Sequence, residues 1–579
     1  MPTLLRSRTT AHGVILLTLL AAAIVWFGTL GYRALADPDE GRYAEIPREM
    51  VASGDWVTPR VNDIKYLDKP PLQYWATALA FKAFGEHEWT VRLWPALTGF
   101  LGILLTLYAG WRLFDRSTAI LAATVLASSF WYQGFGHIAT LDMGLSFFLN
   151  AALFAFLLAH QAGDSEQARR RWMAMAWSAV GLAVLSKGLV ALLLPGIAIL
   201  LYCVVHRRFS LLRRLSLLPG LALMLLIVAP WFALVSYVNP EFAAFFFVHE
   251  HFNRFLTTTH ERAGPLWYYL PIIVIGSVPW LGFLVQNIRR DWRTRTDCQC
   301  VDAPRFLWLW CAAILIFFSL SSSKLPAYIL PIFPALSLLI ARAISIGTAQ
   351  HFSRRIGLTI GMAIVLMAAS PWASNLSRDY LPASLLTAFA WWLFAAAAVL
   401  LVGAIAAIRL RAKFGPLAAS LALAVGGTGF AQLVLNGFET ISPSMSSREL
   451  AKTLRPLIGD ATVLYSVGLY DHTLPFYLKR TLTLVQHPDE LKLGLGVEPD
   501  KWIPHLVTFE QRWSMETNAL AVMPKDIFAQ LRTRSVAMQR VAETPTYIVV
   551  MKPGGNCARS KSAATDALQE TAAEHTAVN

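Results

Sequence analysis

Asp37, Asp39 and Glu40 fall within four residues of one another, with Arg42 and Tyr43 close behind, in the stretch Ala36-Asp-Pro-Asp-Glu-Gly-Arg-Tyr43. The stretch begins where the first long apolar run ends. Carboxylates at the mouth of a membrane helix are costly unless they bind a cation, pair with a base or take part in chemistry. Three of them at this density point to a site rather than to an ordinary solvated loop.

Other polar residues recur at the ends of later apolar runs: Lys69, Asp142, Lys187, His249, Glu250, His251, Arg254, Lys324 and Tyr328. Taken one at a time, each has an ordinary role, since lysines snorkel and arginines anchor at interfaces. Taken together, they suggest one polar cavity at the membrane surface. Carboxylates combined with several lysines and an arginine suit an anionic phosphate with a cation nearby. Arginine supplies a forked donor to phosphate oxygens and lysine a mobile point charge. A divalent ion, zinc or magnesium/manganese, would take oxygen or imidazole donors, which makes Asp68, His249 and Glu250 its candidate ligands. No fixed ligand spacing of the metalloprotease kind accompanies them, and no organic cofactor is expected.

The elements that must position these groups are membrane helices. The chain has 579 residues, of which 56% are hydrophobic and only 15% charged, against roughly a quarter charged in soluble proteins. Apolar spans can be read at 14–35, 90–111, 118–136, 143–160, 173–186, 189–205, 215–237, 266–287, 305–321, 326–346, 356–374, 385–408 and 415–435, about thirteen in all. The net charge of +14 does not indicate nucleic acid, because the basic residues sit in short loops between spans. With the N-terminus inside, every inside loop is basic, from Arg112 and Arg116 through Arg169–Arg171, Arg207 and Arg208 to Arg409 and Arg411. This agreement with the positive-inside rule holds only if Lys187 divides the fifth span from the sixth.

The same topology puts the unusual polar residues on the outer face. Residues 37–89 form a long outside loop, and within it 72–84, with Tyr74, Trp75 and Phe81, is expected as a helix lying along the membrane surface. A second outside loop covers 238–265. The expected organisation is thus a polytopic α-helical membrane domain over 1–435 and a soluble α/β domain on the outer side over 436–553. A disordered tail is expected over 554–579. Strands are expected at 462–467, 481–486, 519–523 and 546–551, with helices at 446–457 and 525–533. The N-terminal apolar run lacks a small-residue cleavage site and reads as a retained helix. The five cysteines form neither a disulfide framework nor a zinc pattern.

The sequence resembles the C-type glycosyltransferases that use polyprenyl-phosphate sugars, and within them the bacterial aminoarabinose transferases. The resemblance rests on Asp37-Pro-Asp-Glu-Gly-Arg-Tyr43, Lys65-Tyr-Leu-Asp-Lys-Pro-Pro-Leu72, Ser186-Lys-Gly188, His249-Glu-His251, Asn253-Arg-Phe255 and Lys324-Leu-Pro-Ala-Tyr328. Asp68 stands where that family often has Glu, and either supplies a carboxylate. The resemblance implies transfer of 4-amino-4-deoxy-L-arabinose from undecaprenyl phosphate to lipid A phosphates at the periplasmic face of the bacterial inner membrane. It further implies resistance to polymyxin and other cationic peptides. Membrane lipids are the remaining partners. Asp39, Asp142 and Lys69 become the candidate catalytic residues. Glu40, Arg42, Tyr43, Tyr66, Lys187, Arg254, Lys324 and Tyr328 become the candidate substrate-binding residues.

Two other functions are compatible with the residues. One is another transferase of the same fold, adding a mannose or other hexose to protein or lipid. The other is a lipid carrier or flippase, which would place polar residues on both faces or along a path through the bilayer. Here they gather on one face.

Overall fold

The computed structural model describes residues 20–161, 165–247, 264–284, 288–293 and 300–554. The chain divides into two units. One takes in the described residues up to Arg33, then Asp68–Pro371 and Ala390–Gly437. The other takes in Ala34–Leu67, Trp372–Phe389 and the described residues from Phe438 on.

The first unit is helical throughout. Among the described residues, six helices are long and apolar enough to cross a membrane. They are Glu88–Leu113, Asp142–Ala159, Leu217–Val238, Ala303–Leu320, Ala349–Leu376 and Ala383–Met445, and the bent pair Tyr269–Gly276 with Leu281–Arg293 would make seven. The shorter apolar helices Arg116–Ser128, Val190–His206 and Ile332–Ile346 fall at further expected positions. The span expected at 118–136 is interrupted at Ser129 and resumes as Phe130–Gly136. The two spans expected beyond 385 form one helical run broken at Gly415, where φ is 85°. The helix Glu166–Lys187 ends at the lysine that divides the fifth and sixth expected spans, and Gly188, with φ 86°, turns the chain into the next helix.

The end of the first span is tied down by buried arginines. Arg92 is wholly buried and donates to the carbonyls of Leu30 and Arg33 at 2.8 Å each. Arg33 donates to the His137 carbonyl at 2.5 Å. Unpaired helix-end carbonyls inside a bilayer would cost several kcal/mol each, and these cations satisfy them.

The second unit contains a six-stranded sheet. Its strands are β3 (Val463–Val467), β4 (Thr483–Val485), β5 (Trp502–Ile503), β6 (Ala519–Pro524), β7 (Gln539–Glu543) and β8 (Tyr547–Met551), in the spatial order β5-β4-β3-β6-β8-β7. The first four run parallel, and β8 and β7 close the edge antiparallel. Tyr465, Val467, Ala521, Met523, Ile548 and Val550 share one face and pack with Phe509 and Trp513 of the helix Leu506–Met515. Leu464, Leu484, Leu520 and Val549 are buried on the other face. Burial on both faces is what a largely parallel sheet requires. Strands β5 and β7 and the helix Leu506–Met515 add to the expected elements.

This unit also holds part of the stretch expected as a long loop. The helix expected at 72–84 is present as Leu72–Phe84 in the first unit. Upstream of it, in the second unit, Asp39–Ser53 forms a 15-residue helix, followed by a hairpin of β1 (Arg60–Val61) and β2 (Ile64–Lys65).

Candidate active site

The helix Asp39–Ser53 opens on the acid-rich motif, and each residue of that motif has a separate job. Glu40 accepts from the backbone N–H of Ala36 at 3.0 Å and is buried. Asp39 and Glu40 both lie in the first helical turn, where the helix dipole favours negative charge. Arg42, one turn on, donates through Nη1 to Asp39 Oδ1 at 3.0 Å and through Nε to Glu490 Oε1 at 2.6 Å. Its guanidinium carbon lies 5.8 Å from the ring centroids of both Tyr43 and Tyr66, within cation–π range. Arg42 is therefore held between two carboxylates and two aromatic rings.

Glu490 belongs to a further pair. His472 Nε2 lies 2.7 Å from Glu490 Oε1, and His472 Nδ1 lies 3.2 Å from Asp37 Oδ1. The same Asp37 oxygen accepts the backbone N–H of His472 at 2.7 Å. Burial alone would lower the His472 pKa, but the bonds to Asp37 and Glu490 carry it up to about 9. The ring is therefore an imidazolium at neutral pH, donating from both nitrogens. Burial likewise opposes ionisation of Glu490, yet His472 and Arg42 bring it down to about 2.

Asp37, His472, Glu490, Arg42 and Asp39 thus form one run of alternating charge. Exposure differs sharply along it. The side chains of His472 and Arg42 are 5% and 8% exposed, whereas the Asp39 carboxylate is 54% exposed. Asp39 is the most exposed of the five.

Further along the helix the charged residues are buried as well. Arg48 forms a two-point pair with Glu45, with Nε–Oε2 at 2.7 Å and Nη2–Oε1 at 2.5 Å. Glu49 accepts the Asp63 backbone N–H at 2.9 and 3.1 Å. Burial and the neighbouring Glu45 push the Glu49 carboxyl well above the usual carboxylate range.

In the membrane unit, Lys187 Nζ donates to Asp142 Oδ1 at 2.5 Å, with both side chains at least 86% buried. Asp142 is the first residue of its helix and Lys187 the last of its own, so each complements its helix dipole as well as its partner. Tyr328 presents its ring 4.9 Å from Lys187 Nζ. Lys69 donates to the backbone carbonyl of Asp68 at 2.9 Å. Lys324 is buried and folded into its own loop, donating to the Ser321 carbonyl at 2.6 Å.

The structure therefore brings together Asp142, Lys187 and Tyr328 in one unit, and Asp39, Arg42, Tyr43 and Tyr66 in the other. Arg254, His249 and Glu250 lie outside the described residues. Among the described residues no cluster of three His, Cys, Asp or Glu side chains could hold a metal ion. The sequence does not single out His472 or Glu490, and it marks Asp37 as part of the acid-rich stretch without giving it a role of its own. His472 follows the carboxyl end of β3, a position where parallel sheets carry functional groups, and that placement was the available signal.

Both units resemble known proteins. Residues 68–233 match the family of dolichyl-phosphate-mannose-protein mannosyltransferases, and residues 450–552 match the aminoarabinose transferase C-terminal domain. An undecaprenyl phosphate-alpha-4-amino-4-deoxy-L-arabinose arabinosyl transferase of Erwinia tasmaniensis is 35% identical over 67% of this chain and 72% of its own. The corresponding Pectobacterium carotovorum protein is 33% identical over 83% of this chain and 86% of its own. The crystal structure of ArnT from Cupriavidus metallidurans bound to undecaprenyl phosphate superimposes with a TM-score of 0.87 at 38% identity, covering 93% of this chain and 98% of that one. Fold and kinship define an integral-membrane glycosyltransferase. Within that class, the chain belongs to the aminoarabinose transferase family.

Proposed function

We propose that this protein transfers 4-amino-4-deoxy-L-arabinose from undecaprenyl phosphate to phosphate groups of lipid A, at the periplasmic face of the bacterial inner membrane. The observation that carries this reading is kinship along nearly the whole length of a transferase solved with undecaprenyl phosphate. Adding an amino sugar to lipid A phosphate lowers negative surface charge and so weakens binding of cationic peptides such as polymyxin.

The chemistry is a displacement at the anomeric carbon. An oxygen of the acceptor phosphate attacks that carbon, and the bond to the donor phosphate breaks, so undecaprenyl phosphate leaves with the bonding electrons. An acceptor phosphate is already ionised at neutral pH, and no strong base is needed. The demand falls on the leaving group, whose charge grows in the transition state and is best met by fixed cations. Lys69, Lys187 and Arg254 supply that charge, with Tyr328 seating Lys187. Asp142 keeps Lys187 aimed. Asp39, the exposed carboxylate, orients the acceptor or the sugar amine and steadies positive charge at the anomeric carbon. One displacement inverts the configuration and involves no covalent enzyme intermediate. Asp68, His249 and Glu250 remain the residues that would hold a divalent ion, and no step above is routed through one.

Mass spectrometry of lipid A tests the reading. A transferase-null strain expressing this chain should gain one aminopentose per modified phosphate and survive polymyxin, whereas Asp39→Asn should give neither. Unmodified lipid A from a strain with the native chain present in its membrane would refute the substrate assignment.

A further inference from the structure

We infer that His472 and Glu490 are positioning residues for the transfer reaction, acting on Asp39 through Arg42. The inference rests on the proposed role of Asp39. Its basis is the run Asp39–Arg42–Glu490–His472–Asp37, with successive contacts of 3.0, 2.6, 2.7 and 3.2 Å.

The run begins and ends inside the same three-residue segment, Asp37-Pro-Asp39, so it closes a loop. The cation touching Asp39 has little freedom. Glu490 takes its Nε, and Tyr43 and Tyr66 each lie 5.8 Å from its guanidinium carbon. Glu490 is in turn fixed by His472, whose backbone N–H and ring both hold Asp37. Removing Glu490 would free Arg42 to turn toward Asp39 and change how that carboxylate is presented. A misplacement of about 1 Å near reacting atoms can cost on the order of a hundredfold in rate.

Other ionisable groups face the same place. Tyr470 packs edge-on against the His472 ring at 4.6 Å between centroids. Asp471, buried beside it, is occupied by Ser447, Thr473 and Leu474. Glu45 and Glu49 act on Tyr470 from the helix Asp39–Ser53, and Tyr547 of β8 feels both Asp471 and Asp37. Of these, His472 titrates between neutral pH and the alkaline range, at about 9, and its loss of a proton would set a nitrogen lone pair against a carboxylate.

A purely structural network would lower the amount of folded enzyme and leave turnover per folded molecule intact. The test uses the purified full chain, undecaprenyl-phosphate-linked aminoarabinose and lipid A, with rates normalised to folded protein. Glu490→Gln and His472→Gln should lower kcat roughly ten- to a hundredfold with donor KM within about twofold. Asp39→Asn/Glu490→Gln should be no slower than Asp39→Asn alone, because both act through one carboxylate. The decline in kcat near pH 9 should be missing in His472→Gln. Should Glu490→Gln fail to fold, Glu490→Asp, which keeps the charge on a shorter stem, is expected to show the same fall in kcat. Multiplicative losses in the double variant, or native turnover in both single variants while Asp39→Asn is inactive, would overturn this inference alone. Native turnover by Asp39→Asn would instead remove the reading on which it rests.

Discussion

Gly41 lies directly against the backbone of His472: a Cβ at position 41 would come 2.5 Å from the His472 carbonyl carbon and 2.6 Å from its oxygen. Glycine here answers to close approach, since it sits within a regular helix. Gly41→Ala is expected to force the helix Asp39–Ser53 away from His472. Overpacking of this kind costs about 1–3 kcal/mol, and transfer should fall with it. Thermal unfolding and turnover of the purified variant check both, and a variant as stable and as active as the native chain would show that the approach is slack.

Lys187 and Asp142 should behave as one unit. Removing one member of a buried pair leaves the other charge unmatched, at a cost of about 3–5 kcal/mol. Lys187→Ala is therefore expected to unfold at a markedly lower temperature than Asp142→Ala/Lys187→Ala. Both should lack transfer. Equal melting temperatures for the two would contradict the pairing.

Tyr328 separates its ring from its hydroxyl. Tyr328→Phe keeps the face that Lys187 sees, while Tyr328→Ala removes it. If the ring seats Lys187 and the hydroxyl meets donor phosphate, Tyr328→Phe should raise donor KM roughly tenfold, the scale of one hydrogen bond to a charged group. Tyr328→Ala should lower kcat as well. Steady-state kinetics against the donor distinguish the two.

Alkaline pH should loosen the second unit. His472 has a raised pKa in the folded chain, so its contribution is full below its ordinary 6.5, declines above that and is gone once pH passes about 9. The shift corresponds to on the order of 3 kcal/mol. Glu490 acts in the opposite sense, with a contribution full above about 4.5 and lost only as pH falls through about 2. Melting temperature followed from pH 6 to 10 should decline for the native chain and be flatter for His472→Gln. Parallel curves would place the titration elsewhere.

Hydropathy made the membrane region legible, including the division at Lys187, because bilayer length and basic loops constrain it independently. Most strands of the second unit were equally plain, since Val463–Val467 and Tyr547–Met551 are short β-branched and aromatic runs. The helix Asp39–Ser53 was not legible as a helix. Its buried residues include Glu40, Arg42, Glu45, Arg48 and Glu49 alongside Tyr43, Ile46 and Met50, so the short apolar stripe is masked by charged residues that are buried around it. Burial of the charged residues is sustained by pairing such as Glu45 with Arg48, which no periodicity reports. The acid-rich motif could be singled out, but its partners could not. His472 and Glu490 stand 435 and 448 positions from Asp37 and Arg42, and nothing in the intervening sequence announces the pairing.

That separation has a bearing on how the enzyme comes into being. The acidic turn emerges near the beginning of synthesis, and the groups that shape it emerge near the end. A nascent chain that has made all its membrane helices still lacks the imidazolium and the carboxylate that fix Arg42. Assembly of the surroundings of Asp39 is thereby deferred until the last domain has been produced and folded, and a prematurely terminated product carries the motif without the geometry.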